Sequence, residues 1–375
     1  MTEGAPGLYI HIPFCRSKCH YCSFYSVSAT DLIPAFLRAL EQEMDLYRQE
    51  FTTFDTIYLG GGTPSLLGLA ELDALLTAVA KKFHIAASAE ITLEANPADL
   101  DRQSLAGLRR LGVNRLNIGI QSLDDKLLAF LGRRHGRREA LEAMEAARAG
   151  GFDNLCLDLI YGIPGQEQSS WQDTLDLALA FAPAHLSCYQ LTLEPGTPLL
   201  QKLEKLQLVL PDEERRADFY FQTADTIRAA GYHHYEVSNF AREETASSRH
   251  NQKYWRHVPY LGLGPAAHSF LANKRWWNRA DLTSYLCDCD AGIPPVSATE
   301  ALTVDKLLLE ALFLGLRTSR GIDLTLIYQR YGYDLLREKA TVINHFLAGG
   351  LLEVSGDYLR PTPAGMAVAD TLALM

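Results

Sequence analysis

The sequence predicts an α/β chain: a partial parallel (β/α)6-type barrel followed by a small C-terminal winged-helix-like domain. Three observations predict it. Short β-branched or aromatic runs alternate with helical patterns through the larger part of the 375 residues. Strand starts are spaced by roughly 25 to 45 residues, which suits strand–helix–strand crossovers rather than hairpins. Beyond residue 299 the alternation stops, and helices lead into a terminal hairpin pattern. A doubly wound open sheet is the competing topology.

The strand runs read 8–12, 56–60, 91–94, 115–121, 155–161, 186–193 and 235–237. Between them, helical patterns cover 33–50, 69–83, 101–111, 137–149, 169–181 and 212–230. The last is the clearest. Pro211 suits a first helical turn, Asp212, Glu213 and Glu214 suit the positive end of the dipole, and Gly231 suits the cap that follows. Residues 241–298 are rich in Arg, His, Asn and Trp with little periodicity, and read as a connector between a core at 1–240 and a domain at 299–375. In that last domain helices at 303–317, 322–331 and 335–348 precede strand 351–354, the turn Ser355-Gly356-Asp357 and strand 358–360. It carries seven Lys/Arg against nine Asp/Glu, so a lid or interaction role is expected rather than DNA reading.

Composition removes several classes. With 47% hydrophobic residues the chain is not broadly disordered. No uncharged apolar run reaches the ~18 residues of a spanning helix, and residues 1–7 lack the basic patch and apolar stretch of a secretory signal. A formal net charge of −10 disfavours phosphate-backbone binding, so no nucleic-acid partner is expected. Seven cysteines, three of them between residues 15 and 22, point to metal or redox chemistry in a reducing, cytoplasmic compartment rather than to disulfides.

The first strand runs into Cys15-x-x-x-Cys19-x-x-Cys22. Three thiolates in one loop can hold three irons of a 4Fe–4S cubane and leave the fourth open to a ligand. Zinc, with His11 or His20 as fourth ligand, and three ordinary buried cysteines are the alternatives at this point. The strand ends that follow are polar or glycine-rich: Gly60-Gly61-Gly62-Thr63-Pro64, Glu94-Ala95-Asn96-Pro97, Gln121-Ser122 and Asp158, then Tyr161-Gly162-Ile163-Pro164. In a parallel α/β barrel the loops after the strands form the active face, and glycines let a backbone approach a ligand closely.

The cysteine spacing with the glycine strip resembles the radical S-adenosylmethionine (SAM) superfamily. Tyr9-Ile10-His11-Ile12-Pro13-Phe14-Cys15, Glu94-Ala95-Asn96-Pro97 and Asp158-x-x-Tyr161-Gly162-x-Pro164 resemble its coproporphyrinogen dehydrogenase-like subgroup. The resemblance implies that Cys15, Cys19 and Cys22 hold a 4Fe–4S cluster and that a separate reductant serves it. It implies that Tyr9, Tyr21, Gly61, Gly62, Thr63, Glu94, Gln121, Arg133 and Asp158 contact SAM. Arg133 would pair with the methionyl carboxylate, with Arg134 beside it as the alternative.

Two departures separate the branches of that subgroup. The dehydrogenase pattern has a further cysteine two residues after the third, where this chain has Phe24, and a longer segment before the first, where this chain has 14 residues. His250-Asn251-Gln252-Lys253-Tyr254-Trp255 instead resembles the His-Asn-x-x-Tyr-Trp motif of the heme-chaperone branch. That resemblance implies heme as cargo, held by His250, Asn251, Tyr254 and Trp255 and passed to an apoprotein acceptor, without dehydrogenase activity. Imidazole is a common axial ligand, aromatic rings suit the macrocycle, and Lys253, Arg256, Lys274, Arg275 and Arg279 would meet the propionates. The alternative for this motif is a structural corner. The alternative functions are oxidative decarboxylation of coproporphyrinogen III and another radical reaction on heme. Peripheral membrane association is left open. Cys156 and Cys188 read as core, Cys287 and Cys289 as surface, His233 and His234 as opposite faces of a strand, and His268 as a pocket or core histidine.

Overall fold

A computed structural model of the chain describes residues 4–374. Strands β1 (Gly7–Ile12), β2 (Thr53–Gly61), β3 (His84–Ala95), β4 (Arg115–Gln121), β5 (Leu155–Tyr161) and β6 (His185–Gln190) lie side by side in sequence order, each parallel to the next. Helices α1 (Ile33–Tyr47), α2 (Leu69–Lys82), α3 (Arg102–Arg110), α4 (Asp125–Leu131), α5 (Arg137–Ala149) and α6 (Gln168–Ala180) fill the crossovers. A doubly wound sheet reverses its strand order part-way; this order never reverses. Right-handed crossovers then put the helices on one face and leave the other free.

The strand sequences are written for that asymmetry. Leu155, Leu157 and Leu159 of β5 sit in the main core with Trp171 and Leu175 of α6. Cys156 and Asp158 alternate with them and point the other way, as the two-residue period of a strand requires. Across the sheet the inner face reads Tyr9, Tyr58, Glu94, Arg115, Asn117, Asp158 and His185, a polar lining opposite an apolar outer face.

Helices α7 (Pro198–Leu206) and α8 (Glu213–Ala229) and strands β7 (His233–Glu236) and β8 (Asn239–Ala241) follow. The α8 cap is Asp212, whose side chain accepts from Arg215 N, so Pro211 lies before the cap rather than in the first turn. Gly231, at φ +87°, terminates it as expected.

Residues 241–298 are more regular than their composition suggests. They form α9 (Arg249–Trp255), β9 (Tyr260–Leu263), β10 (His268–Leu271), β11 (Lys274–Asn278) and α10 (Leu282–Asp290), and β12 (Val296–Ala301) pairs with β11. β9 joins β1 as a seventh parallel strand. The result is one mixed sheet of twelve strands, β12-β11-β10-β9-β1-β2-β3-β4-β5-β6-β8-β7, whose edges do not meet. Strands β8 and β12 run across residues 240/241 and 298/299. Buried Glu43 of α1 anchors the added strands, accepting from Gly264 N (2.8 Å), Tyr285 Oη (2.7 Å) and Asn278 Nδ2 (2.5 Å).

A second, smaller core belongs to α11 (Val304–Gly315), β13 (Ile322–Asp323), α12 (Leu324–Tyr331), α13 (Leu335–Glu338), α14 (Ala340–Ala348), β14 (Leu352–Ser355) and β15 (Tyr358–Pro361), with α15 (Pro363–Ala367) and α16 (Ala369–Leu372) closing the chain. The three strands form their own antiparallel sheet, as the helix-then-hairpin pattern predicts. Among the described residues no helix is long and apolar enough to cross a membrane.

Candidate functional site

β1 delivers the chain into a loop that is closed at its base, where Cys15 N donates to Val27 O (2.9 Å) and Val27 N to Pro13 O (2.7 Å). Cys15, Cys19 and Cys22 are free, half-buried thiols on this loop. Thr63 Oγ1 lies 3.3 Å from Cys15 Sγ, and Arg133 Nη1 donates to Cys19 Sγ at 3.3 Å. Gly62 N and Thr63 N donate to Ile12 O and Phe14 O, both at 2.8 Å, which stitches the glycine strip to the loop. Glycine is needed here. Gly61 has φ +106°, and a Cβ on Gly62 would stand 2.7 Å from Phe14 O and 3.1 Å from Cys15 Sγ.

The histidines that zinc would need are engaged. His11 bonds Tyr25 O through Nε2 (2.8 Å) and Tyr9 Oη through Nδ1 (3.1 Å), and His20 Nδ1 bonds Phe130 O (2.8 Å). Among the described residues no His, Cys, Asp or Glu side chains are gathered into a closed metal cage, so the four-ligand set of a structural zinc site is not formed here. Phe24, which stands where the dehydrogenase pattern has a cysteine, is 63% exposed.

On the inner face two carboxylates are enclosed, Glu94 among tyrosines and Asp158 within the field of Arg115. Glu94 accepts from Tyr58 Oη at 2.7 Å, and burial pushes it up to about 7, with the Tyr58 bond pulling back. Asp158 accepts from Asn117 Nδ2 at 2.8 Å, and burial pushes it up to about 6. Asn117 Oδ1 and Arg133 Nε are buried without partners among the described residues. Gln121 has φ +67°, at a register slip between β4 and β5, and stands with Arg133 over Gly119. Positive φ in a non-glycine residue is strain of the kind that collects at ligand sites. Arg133 Nη2 also donates to Gly119 O (2.7 Å), whereas Arg134 grips Asp99 through two 2.9 Å bonds. The geometry thus separates the two arginines and gives the site Arg133. Tyr21 lies beside Arg133, half-buried.

Gly61, Gly62, Thr63, Gln121 and Arg133 therefore stand at the strand ends by the cysteine loop, with Tyr9, Glu94 and Asp158 on the inner face of the same sheet. The motif at 250–255 stands apart from the cysteine loop and meets this group only from below, where Tyr254 faces Tyr9 and Glu94. It forms α9, seated at the opposite, N-terminal ends of the strands. Glu90 accepts from Arg249 N (3.2 Å) and His250 N (3.1 Å), a carboxylate at the positive end of the helix. His250 is fully buried, with Nδ1 on Thr56 Oγ1 (2.8 Å) and Nε2 on Tyr254 Oη (2.8 Å). Burial drives its imidazole down to about 3, so the ring is neutral. Its contact upward is with the rings of Tyr58 (5.2 Å) and Tyr9 (6.4 Å).

Most of the expected propionate partners are committed elsewhere. Lys253 is buried on Asp55 (2.5 Å) and Ala5 O (2.6 Å), Arg275 holds Glu310 (2.6 and 3.0 Å), and Arg279 holds Asp288 (2.7 Å). Arg256 bonds Gln252 on its own helix, and Lys274 lies 5.3 Å over the Trp276 ring. Trp276 is buried on Tyr47 Oη, Trp255 packs on Tyr235, and His268 stacks on Trp277. Asn251 and Tyr254 are half-buried. Cys188 is in the outer-face core as expected and Cys287 is exposed, but Cys289 is buried. Cys156 is buried on the polar face instead, 2.9 Å from His185 Nδ1. Sequence reasoning also passed over Tyr58, Asn117, Arg115, His185 and Tyr235. Their one signal was polarity at alternate strand positions.

The sequence pattern described as the Radical SAM superfamily matches residues 9–178, and the HemN C-terminal domain matches 302–368. The heme chaperone HemW of Synechocystis sp. is 38% identical over 84% of this chain and 78% of its own length. That of Bacillus subtilis is 34% identical over 95% of both. The chain belongs to the HemW family of radical SAM proteins. A mitochondrial relative from Bos taurus, radical S-adenosyl methionine domain-containing protein 1, is 35% identical over 99% of this chain and 88% of its own. The structure of coproporphyrinogen III oxidase (HemN) from Escherichia coli superposes with a TM-score of 0.85 at 24% identity, covering 99% of this chain and 89% of that one. This likeness establishes the radical SAM α/β fold that the strand order already indicated.

Proposed function

We propose that this chain is a cytoplasmic heme chaperone built on a 4Fe–4S and SAM scaffold. The observation that carries the reading is the juxtaposition of a loop bearing three free cysteines, a glycine strip stitched to that loop and two enclosed carboxylates on the inner face of a HemW-family sheet. Cys15, Cys19 and Cys22 would hold the cluster. Glu94 and Asp158 would accept from the ammonium and ribose hydroxyls of SAM, Arg133 would meet its carboxylate, Gly61, Gly62 and Thr63 would give backbone room, and Tyr9, Tyr21 and Gln121 would close the sides. When bound, the cluster and SAM supply one-electron chemistry, and an external reductant feeds it. The protein contributes placement and exclusion of water.

Heme is the cargo and an apoprotein its destination. His250 is retained as the proposed iron ligand, with Asn251, Tyr254 and Trp255 as contacts, on one condition: α9 must leave its seat, because both ring nitrogens are bonded inside the sheet. The propionates would then rely on Lys274 and on bases released by that movement. Residues 1–240 act as the cofactor core, 241–298 as the cargo element and 299–375 as an interaction domain.

The test is anaerobic reconstitution followed by heme titration of wild type and His250→Ala, read at the Soret band, with a parallel incubation of reduced protein, SAM and coproporphyrinogen III. Stoichiometric heme binding without decarboxylated product is expected. Efficient product formation overturns the carrier reading, and unchanged heme spectra in His250→Ala remove the ligand assignment.

A further inference from the structure

We propose that Tyr58 is a positioning residue for Glu94, fixing the orientation of that carboxylate and linking it to the seat of α9. The inference rests on the function proposed above for the identity of the ligand, and adds a residue that no SAM-contact assignment includes.

Tyr58 stands on the inner face between the two ends of the sheet. Its ring packs 5.2 Å from His250 and 6.1 Å from Tyr9, so it cannot swing without disturbing α9 or β1. Its hydroxyl donates at 2.7 Å to Glu94 Oε1. The phenol and the Gly61 amide are the two donors to this carboxylate, and Tyr58 is the side chain that sets its orientation for an incoming ammonium. Gly60 lets this happen: a Cβ there would stand 3.0 Å from both Tyr58 and Tyr9 and 3.3 Å from Glu94 Cδ. The groups facing Glu94 are Tyr58 and the Gly61 amide from β2, Tyr9 from β1, Asp158 from β5 and Tyr254 from α9. None is cationic, so the Tyr58 hydroxyl is the chief side-chain group that favours the ionised carboxylate before a cation arrives.

Two measurements decide it. In cluster-free protein, the protonated-carboxyl stretch of Glu94 is titrated by infrared difference spectroscopy, with Glu94→Gln as the assignment control. Tyr58→Phe should move the midpoint up by about one pH unit. Fluorotyrosine at position 58, a stronger donor of the same shape, should move it down, and this arm stands if the phenylalanine variant folds poorly. In reconstituted protein, SAM isotherms should show Tyr58→Phe about tenfold weaker at pH 6.5 and nearly equal to wild type at pH 9, where Glu94 is ionised in both. A midpoint that moves in neither variant overturns the proposal, as does an equal loss of affinity at both pH values, which is what general structural damage would give. If wild type binds no SAM at any pH, the proposed function fails while the infrared arm still decides the role of Tyr58.

Discussion

Glu94 shows how one residue makes the site sensitive to pH. A carboxyl raised from its ordinary range to about 7 by burial holds its proton in the fold where the unfolded chain has lost it. The native state then binds more protons than the unfolded state between roughly pH 4.5 and 7, so stability falls as pH rises through that window and the penalty is complete above it. Asp158, raised to about 6, adds to the same trend at slightly lower pH. Buried His250, His135 and His185 and half-buried His234 are held below the ordinary histidine range and act in the opposite direction, adding stability as pH rises toward neutrality. The Glu94 contribution is therefore read as a difference: the melting temperature of cofactor-free wild type minus that of Glu94→Gln should fall from pH 5.5 to pH 7.5, and a difference that stays constant over this interval would contradict the assignment. At the same scale, Cys19→Ser should abolish most iron–sulfur absorbance after reconstitution while leaving the far-ultraviolet dichroism unchanged, since Cys19 is a half-buried loop residue outside the main core. Residue by residue, the cysteines, glycines and strand-end carboxylates were legible because their types are unusual at such positions. Tyr58 and Asn117 were not, because a tyrosine or asparagine inside a strand is common, and only the partner across the sheet reveals its work.

At the scale of elements, α1 and the added strands meet at Glu43. Its three donors come from the β9–β10 turn, β11 and α10, so a single carboxylate secures elements more than 200 residues away in sequence. Glu43→Ala leaves those donors buried and unpaired, which should cost about 3 kcal/mol and loosen β9 to β11. Hydrogen exchange should show lost protection there and little change in β3 to β5. Elements of about a dozen residues or more were readable from periodicity. The missed helices α4, α7, α9, α10, α15 and α16 have only four to nine residues, fewer than the window over which a helical period can be recognised. The first half of β3, His-Ile-Ala-Ala-Ser-Ala-Glu, has few β-branched residues, and its strand character comes from pairing with β2.

For the molecule as a whole, the C-terminal unit has its own core and is joined to the large sheet both by polar contacts and by Met366 of α15, which is buried in the main core. Arg317 bonds buried Glu236 at 3.1 Å, its carbonyl accepts from Val237 N, and Arg275 reaches Glu310. Arg317→Ala strands the Glu236 carboxylate and should cost about 2 kcal/mol, detected as an earlier, separate calorimetric transition for residues beyond 302. A single unshifted transition would show that the two cores melt as one through other contacts. The sequential strand order and the helix-then-hairpin ending were both written in the pattern of apolar runs. The open mixed sheet was not, because β8 to β12 are three to six residues long and take their pairing from neighbours distant in sequence.

Gly7, at the foot of β1, stands under the motif helix. A methyl group added there would lie 2.7 Å from Lys253 Cδ, 3.0 Å from His250 Cε1 and 3.0 Å from Thr56 Oγ1. Gly7→Ala is thus a wedge under a closed lid: it raises the energy of the shut arrangement without replacing the histidine. If the iron of heme seeks His250, part of its binding energy in the wild type is spent on prising α9 loose, and the wedge supplies that work in advance. Heme should then bind more tightly to a protein that has lost stability, a trade that only a cargo ligand hidden behind its own door would show.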